Sequence, residues 1–154
     1  MRRIIALLLL VAVFVMSGCG TVVPPKKYTV IDKMTIDSNF DETWSKTIKW
    51  FAINNINIKV LEKDSGIITA ESSYLNTDYF DCGIIPYTQL LDVLGRYNVM
   101  VEADGNKSNV IFTLNGTGTI TKVNGFGDPI GSSYPTACNS IGTLESSFFK
   151  SLEK

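Results

Sequence analysis

The chain has 154 residues, fourteen lysines and arginines against fifteen aspartates and glutamates, and no histidine at all. The missing imidazole removes the commonest general base and metal ligand. The near-zero charge, with no basic block beyond Lys26-Lys27, leaves nucleic-acid binding without an electrostatic footprint.

The first twenty residues are the most distinctive. Arg2 and Arg3 precede a thirteen-residue apolar run, Ile4 to Met16, and then Ser17-Gly18-Cys19. A basic start, a short apolar core and small residues before a cleavage point read as a secretory signal peptide over residues 1–18. As a helix the run reaches about 20 Å, short of the roughly 30 Å hydrocarbon core that a transmembrane span must cross. A cysteine directly after the small pair resembles the lipobox of bacterial lipoproteins, and that resemblance implies lipidation at Cys19. Met16 stands where the family most often has leucine, a change between apolar side chains of similar size. Gly20 replaces the aspartate that commonly retains Gram-negative lipoproteins in the inner membrane. By resemblance, the location is therefore the periplasmic face of the outer membrane.

Beyond residue 18 the balance is twelve basic to fifteen acidic side chains, and the length suits one domain with its own core. Residues 19–27 form the lipidated N-terminus and a tether stiffened by Pro24-Pro25, leaving 28–154 as a single domain. Cys82 and Cys138 are an even pair in an exported chain and read as one disulfide; two free buried thiols are the alternative.

Along that domain, Tyr28 to Ile36 alternates as a first strand. Ser38 is the expected N-cap of a helix carrying Asp41 and Glu42 in its first turn. Phe40, Trp44, Thr47, Ile48 and Phe51 give that helix an apolar stripe. Trp44 falls on the stripe, whereas Trp50 falls off it, at the edge of the packing or on a contact surface. Ile56, Ile58 and Val60 alternate as a second strand. Lys63-Asp64-Ser65-Gly66 turns the chain, and Ile67 to Ser73 returns as a third.

Residues 74 to 95 break the pattern and read as a long irregular connection. Tyr97, Val99, Val101 and Ala103 make a fourth strand. In the fifth, Val110, Phe112, Leu114, Gly116, Gly118 and Ile120 share one face, and Thr113 to Thr121 form a polar, solvent-facing set on the other. Residues 124 to 135, rich in glycine and proline, are expected to be loop. Ile141, Leu144, Phe148 and Leu152 close the chain with an amphipathic helix. The fold class is thus α+β: a single antiparallel sheet, β-α-β-β-β-β-α, with both helices on one face.

Little points to catalysis. Glu71, Asp78 and Asp81 are the only acids whose placement suggests a carboxylate site, for Ca²⁺ or for hydrolysis, and no dense ligand loop surrounds them. Gly125-Phe126-Gly127 lacks the strand and helix that a phosphate cradle requires. No cofactor or metal is expected. Tyr79, Phe80, Tyr87, Phe126 and Tyr134 stand out instead: a Cys82–Cys138 bridge would pin two irregular segments into one aromatic platform for a partner. The competing reading is that these rings cap the open end of a small core.

The stretch from Phe40 and Trp44 to Asp64-Ser65-Gly66-Ile67-Ile68-Thr69 resembles small bacterial outer-membrane lipoproteins of unassigned role. So does Cys138-Asn139-Ser140-Ile141-Gly142-Thr143-Leu144-Glu145, whose Leu-Glu pair opens the last helix. The strand order is similar to the helix-grip domains of a lipoprotein component of the β-barrel assembly machinery. These resemblances imply fold and location, and no catalytic residue. The expectation is a non-enzymatic, lipid-anchored envelope module that binds another protein or serves assembly. One rival is a carrier of a small apolar ligand, in a chamber lined by Val99, Val101, Phe112, Leu114 and Ile48. A carboxylate-based hydrolase is the other.

Overall fold

The structure, a computed structural model, describes residues 20–74 and 77–153. The signal segment 1–18 and Cys19 lie outside the described residues. The elements are β1 (Lys33–Ile36), α1 (Phe40–Ile53), β2 (Asn57–Glu62), β3 (Ile67–Tyr74), β4 (Phe80–Asp81), β5 (Thr88–Asp104), β6 (Lys107–Val123), β7 (Pro129–Ser140) and α2 (Thr143–Leu152). They form one antiparallel sheet in the order β2-β3-β5-β6-β7-β4, with β1 on β6, and two helices. This is the expected α+β architecture.

The β5–β6 hairpin is the spine, seventeen residues on each side, turning at Asp104-Gly105-Asn106. The outer edge of β6 is shared. Near the turn it carries β1, with Lys33 opposite Ile111 and Ile36 opposite Ser108. At the far end it carries β7, from Gly116 opposite Cys138 to Val123 opposite Pro129. The sheet therefore has two halves, and different material covers the inner face of each.

The helices cover the half near the Gly105 turn. Asn39, not Ser38, caps α1: its side chain accepts from the Glu42 amide at 3.0 Å. Ser38 is buried, its hydroxyl 2.9 Å from Thr43 Oγ1, while its carbonyl accepts from Ser108 Oγ. Trp50 is a clear departure from expectation. It is only 4% exposed and meets Phe51, Tyr97, Phe112 and Phe148 at centroid distances of 5.2 to 6.4 Å. The reason is α2. It lies beside α1 on the same sheet face and widens the buried arc of α1 beyond a single stripe. Phe112 completes the cluster against Phe148 at 4.4 Å and Phe149 at 6.3 Å. Ring pairs of this kind each add about 0.5–1.5 kcal/mol beyond the area they bury.

The other half is covered by residues 77–85. Gly95 and Gly116 lie directly opposite one another on β5 and β6, and their missing side chains leave a trough in the inner face. The Phe80 ring fills it: a Cβ on Gly116 would come within 2.6 Å of Phe80, and one on Gly95 within 3.1 Å. Next along β6, Gly118 makes room for Leu90 and Cys138 Sγ. Glycine weakens a strand unless something approaches it closely; here an aromatic ring and a sulfur do.

Several boundaries differ from those read in the sequence. The paired part of the first strand begins at Lys33 rather than Tyr28, because residues 23–28 bond to residues 81–84 instead. The apolar run Leu90-Leu91-Val93-Leu94, expected in the irregular stretch, belongs to β5. A bulge between Leu90 and Asp92 breaks its alternation and turns Leu91 outward. Residues 129–135, expected as loop, belong to β7. Only its last residues pair with β4, so much of that flank is an edge that accommodates Pro129 and Pro135. Thr121, expected to face solvent, is buried beside the register shift between Ile120 and Lys122. A further register shift between Ile58 and Val60 ends the expected alternation in β2.

Gly116→Ala is expected to cost about 1–3 kcal/mol, the usual range for overpacking a filled site, measured by urea denaturation. Gly125→Ala, with nothing within 4 Å of the added carbon, serves as the neutral comparison.

Candidate functional site

Cys82 and Cys138 form a disulfide, with Cα atoms 4.1 Å apart. The bridge fixes the segment from Phe80 to Gly83 onto β7, beside Phe80 in its glycine trough. Residues 20–28 are laid along this pinned segment. Val23 and Ile84 exchange backbone hydrogen bonds of 2.8 and 2.7 Å. Gly83 sits at φ +71°, where a Cβ would lie 2.3 Å from the Val23 carbonyl oxygen; close approach and backbone conformation both require glycine. Asn139 Nδ2 donates to the Lys26 carbonyl at 2.8 Å and to that of Pro25 at 3.4 Å.

Asp81 is the hub of this clasp. Its carboxylate accepts from the Gly83 amide at 2.7 Å, the Lys26 amide at 3.3 Å and the Tyr28 hydroxyl at 3.1 Å. The Gly83 amide first, then the Lys26 amide and the Tyr28 hydroxyl, hold the carboxyl below the usual aspartate range. The Tyr28 hydrogen bond and the negative charge of Asp81 in turn raise the Tyr28 phenol. Residues 20–27, expected as a spacer, are therefore strapped to the domain. Gly20 ends against Pro86 and Tyr87: a Cβ there would meet Pro86 at 2.7 Å and the Tyr87 ring at 3.9 Å.

The five aromatic candidates divide. Phe80 is 1% exposed and cannot touch a partner; the glycine trough holds it. Tyr79 is half-buried, its ring 5.1 Å from that of Tyr74, and Tyr74 also meets Phe80 at 5.7 Å and hydrogen-bonds the Tyr97 hydroxyl. These two rings cap the core. Tyr134 is half-buried opposite Ile120. Tyr87 and Phe126 remain exposed, at 68% and 95%, on the side where Gly20 lies. The Tyr87 carbonyl accepts from the Val123 amide at 2.9 Å, and Phe126 is at the tip of the hairpin that begins just after Val123.

The carboxylates are not brought into one cleft. Glu71 pairs with Arg96 at 3.3 Å and Lys59 at 3.5 Å, whereas Asp81 is committed to the clasp. Asp78 lies in the bend before β4. Among the described residues no three Cys, Asp or Glu side chains gather as a metal site. Glu145, quoted in sequence only for its Leu-Glu pair, is buried. It accepts from Ser140 Oγ at 2.8 Å, and that hydroxyl in turn accepts from the Gly142 amide at 3.1 Å, tying β7 to the start of α2. A carboxylate there also complements the helix dipole. Tyr97 is held neutral, first by burial and then by its hydrogen bond to Tyr74.

The lining residues named for a ligand chamber, Val99, Val101, Phe112 and Leu114, are all buried, and the rings of Trp50, Tyr97 and Phe148 pack against Phe112; Phe112 and Leu114 also border an open hollow of about 290 Å³ beside Val30 and Glu145. A wide concavity lies outside, a groove of about 870 Å³ between the helices, flanked by Lys49, Ile53, Ser147 and Lys150. A scan against protein-family models finds no match, and no curated protein matches the sequence significantly.

Two outcomes follow from the clasp. Cys82→Ser is expected to lower stability by roughly 4 kcal/mol in the loop-entropy model for a bridge spanning 56 residues, read by denaturant unfolding under oxidising conditions. An unchanged midpoint contradicts it. The clasp also depends on pH. Because the folded Asp81 carboxyl titrates below its unfolded value of about 3.9, its contribution is complete above that value and is lost as pH falls through the lowered one. The Lys26 and Gly83 amide NMR shifts should therefore titrate together with a midpoint below about 3.9; a midpoint at or above it contradicts the assignment.

Proposed function

We propose that this chain is a lipid-anchored lipoprotein of the bacterial cell envelope. It is non-enzymatic, held through Cys19 at the periplasmic face of the outer membrane, and acts as a protein-binding or structural module. The clasp carries this reading. The residues directly after Cys19 are strapped to a disulfide-pinned loop, so acyl chains on that sulfur hold the domain against the bilayer instead of at the end of a spacer. The disulfide is in keeping with export, and the run from Arg2 to Cys19 supplies the signal.

The ring packing between the helices and the sheet favours contact through the surface over carriage of an apolar ligand. The likeness to the assembly-machinery domains rests on the sequence alone, and likeness of fold brings no activity with it. The groove between α1 and α2, with Ile53 exposed between Lys49 and Lys150, offers a protein partner an apolar centre with basic flanks. Among the described residues no helix is long and apolar enough to cross a membrane. On this reading attachment rests on the lipid at Cys19.

Cys19→Ser tests it in cell fractionation. Wild type is expected to stay with membranes through a carbonate wash, and the variant to be released or to remain unprocessed. Equal attachment of both proteins refutes the lipid anchor.

A further inference from the structure

The end of the domain at which residue 20 lies exposes an unusual set of apolar side chains. Phe126 is 95% exposed, Tyr87 68%, Ile84 63% and Val22 61%, with Ile130 at 48%. They come from three separate segments: the strap (Val22), the pinned loop (Ile84, Tyr87) and the β6–β7 hairpin (Phe126, Ile130). Backbone hydrogen bonds join them, Val23 to Ile84 and Tyr87 to Val123.

The hairpin tip is built to present its ring. Asn124 Oδ1 accepts from the amides of Phe126 and Asp128, each at 2.9 Å. The Asn124 carbonyl accepts from the Gly127 amide at 3.0 Å, and Asn124 Nδ2 donates to Asp128 Oδ2 at 3.0 Å. Three consecutive tip amides are thus satisfied internally, which is what a segment entering an apolar medium requires. Gly125 and Gly127 meet nothing within 4 Å, so the tip is slim and its ring stands clear. Tyr87 holds φ +58°, a left-handed conformation that is strained for a bulky side chain. Its ring nevertheless stays in solvent.

We propose that this end is a membrane seat: Phe126, Tyr87 and Ile84 enter the interfacial layer of the lipid bilayer to which Cys19 is anchored. The inference rests on the lipid-anchor reading. The occupant follows from covalent reach. Cys19 is one peptide from Gly20, which lies against Pro86 and Tyr87, so a lipid on that sulfur brings the bilayer to this surface. Tyrosine suits the site because its amphipathic ring favours the headgroup level, and phenylalanine belongs to an apolar face that sinks about 5–10 Å. Charge steers little: Lys122 and Asp128 flank the tip with opposite signs. The seat adds a second attachment to the acyl chains and fixes orientation, turning the helix-covered half of the sheet away from the lipid.

The test uses the full lipidated chain in vesicles of phosphatidylethanolamine and phosphatidylglycerol, some carrying brominated acyl chains, with no other protein present. Phe126→Trp is compared with Asn106→Trp at the opposite hairpin. Emission from the buried Trp44 and Trp50, recorded on wild type, is subtracted. The indole introduced at position 126 is expected to emit with a blue shift and to be strongly quenched by the brominated lipid, with the indole at position 106 unaffected. A vesicle-bound chain whose indole at position 126 remains in water overturns the seat and leaves the anchor standing. Shielding of that indole only in native envelope membranes assigns the surface to a protein and likewise overturns the seat. A chain that fails to float with the vesicles overturns both the anchor and the seat. Near-UV circular dichroism checks that each variant is folded; Phe126→Ser, which creates no new ring, should keep the fold and weaken retention on vesicles.

Discussion

One ring on a bare patch of sheet organises half of this molecule. Phe80 sits over the facing glycines Gly95 and Gly116, and the Cys82–Cys138 bridge holds it there from two residues away. Where the helices end, the inner face of the long β5–β6 hairpin would otherwise be open to water. The glycines give that face depth, the ring fills it, and the disulfide limits how far the covering segment can move. Each depends on the others: a side chain at Gly116 expels the ring, and without the ring the trough is a void beside a buried sulfur.

From this ring a chain of attachments leads outward. The fixed segment presents Asp81, Gly83 and Ile84 in one geometry, and the incoming strand meets all three. A carboxylate that accepts three donors, a glycine that admits a carbonyl and a backbone bridge make residues 20–28 part of the domain. A force applied at Cys19 reaches the sheet through this bonded backbone, with the disulfide as the stop. On the proposed lipid-anchor reading, that arrangement fixes the position of the domain relative to the membrane. It contrasts with a flexible leash, on which a domain of this size would turn freely.

Much of the fold was legible in the sequence because two periods are strong in it. The helical recurrence from Phe40 to Phe51 and the two-residue alternation from Val110 to Ile120 located α1 and β6 and most of the buried face of each, with Trp50 and Thr121 as the exceptions. The cysteine pair was legible from compartment chemistry. The failures share a cause: local pattern does not report a neighbour that arrives from elsewhere. Trp50 looked peripheral until α2 lay beside α1. Phe80 looked exposed because Gly95 and Gly116, which receive it, lie far along the chain on two other strands. The β7 strand was hidden by prolines and glycines that an edge tolerates. Bulges near Leu90 and Ile58 interrupted the alternation that would have extended β5 and defined β2. Of the contact candidates, the three that turned inward are those packed against other elements, whereas Tyr87 and Phe126 lie where the chain turns with nothing above it. The strap could not be foreseen at all, since its partners are single backbone groups and one aspartate.

Everything outward of the disulfide depends on the segment after Cys19 being bonded to the pinned loop, and hydrogen exchange at two amides tests that most directly. Val23 and Ile84 donate to each other's carbonyls, so in the oxidised protein both should exchange far more slowly than free peptide and at matching rates. Exchange of the Val23 amide at the rate of an unstructured peptide, with the Ile84 amide still protected, would show that the strap does not form and would contradict the clasp.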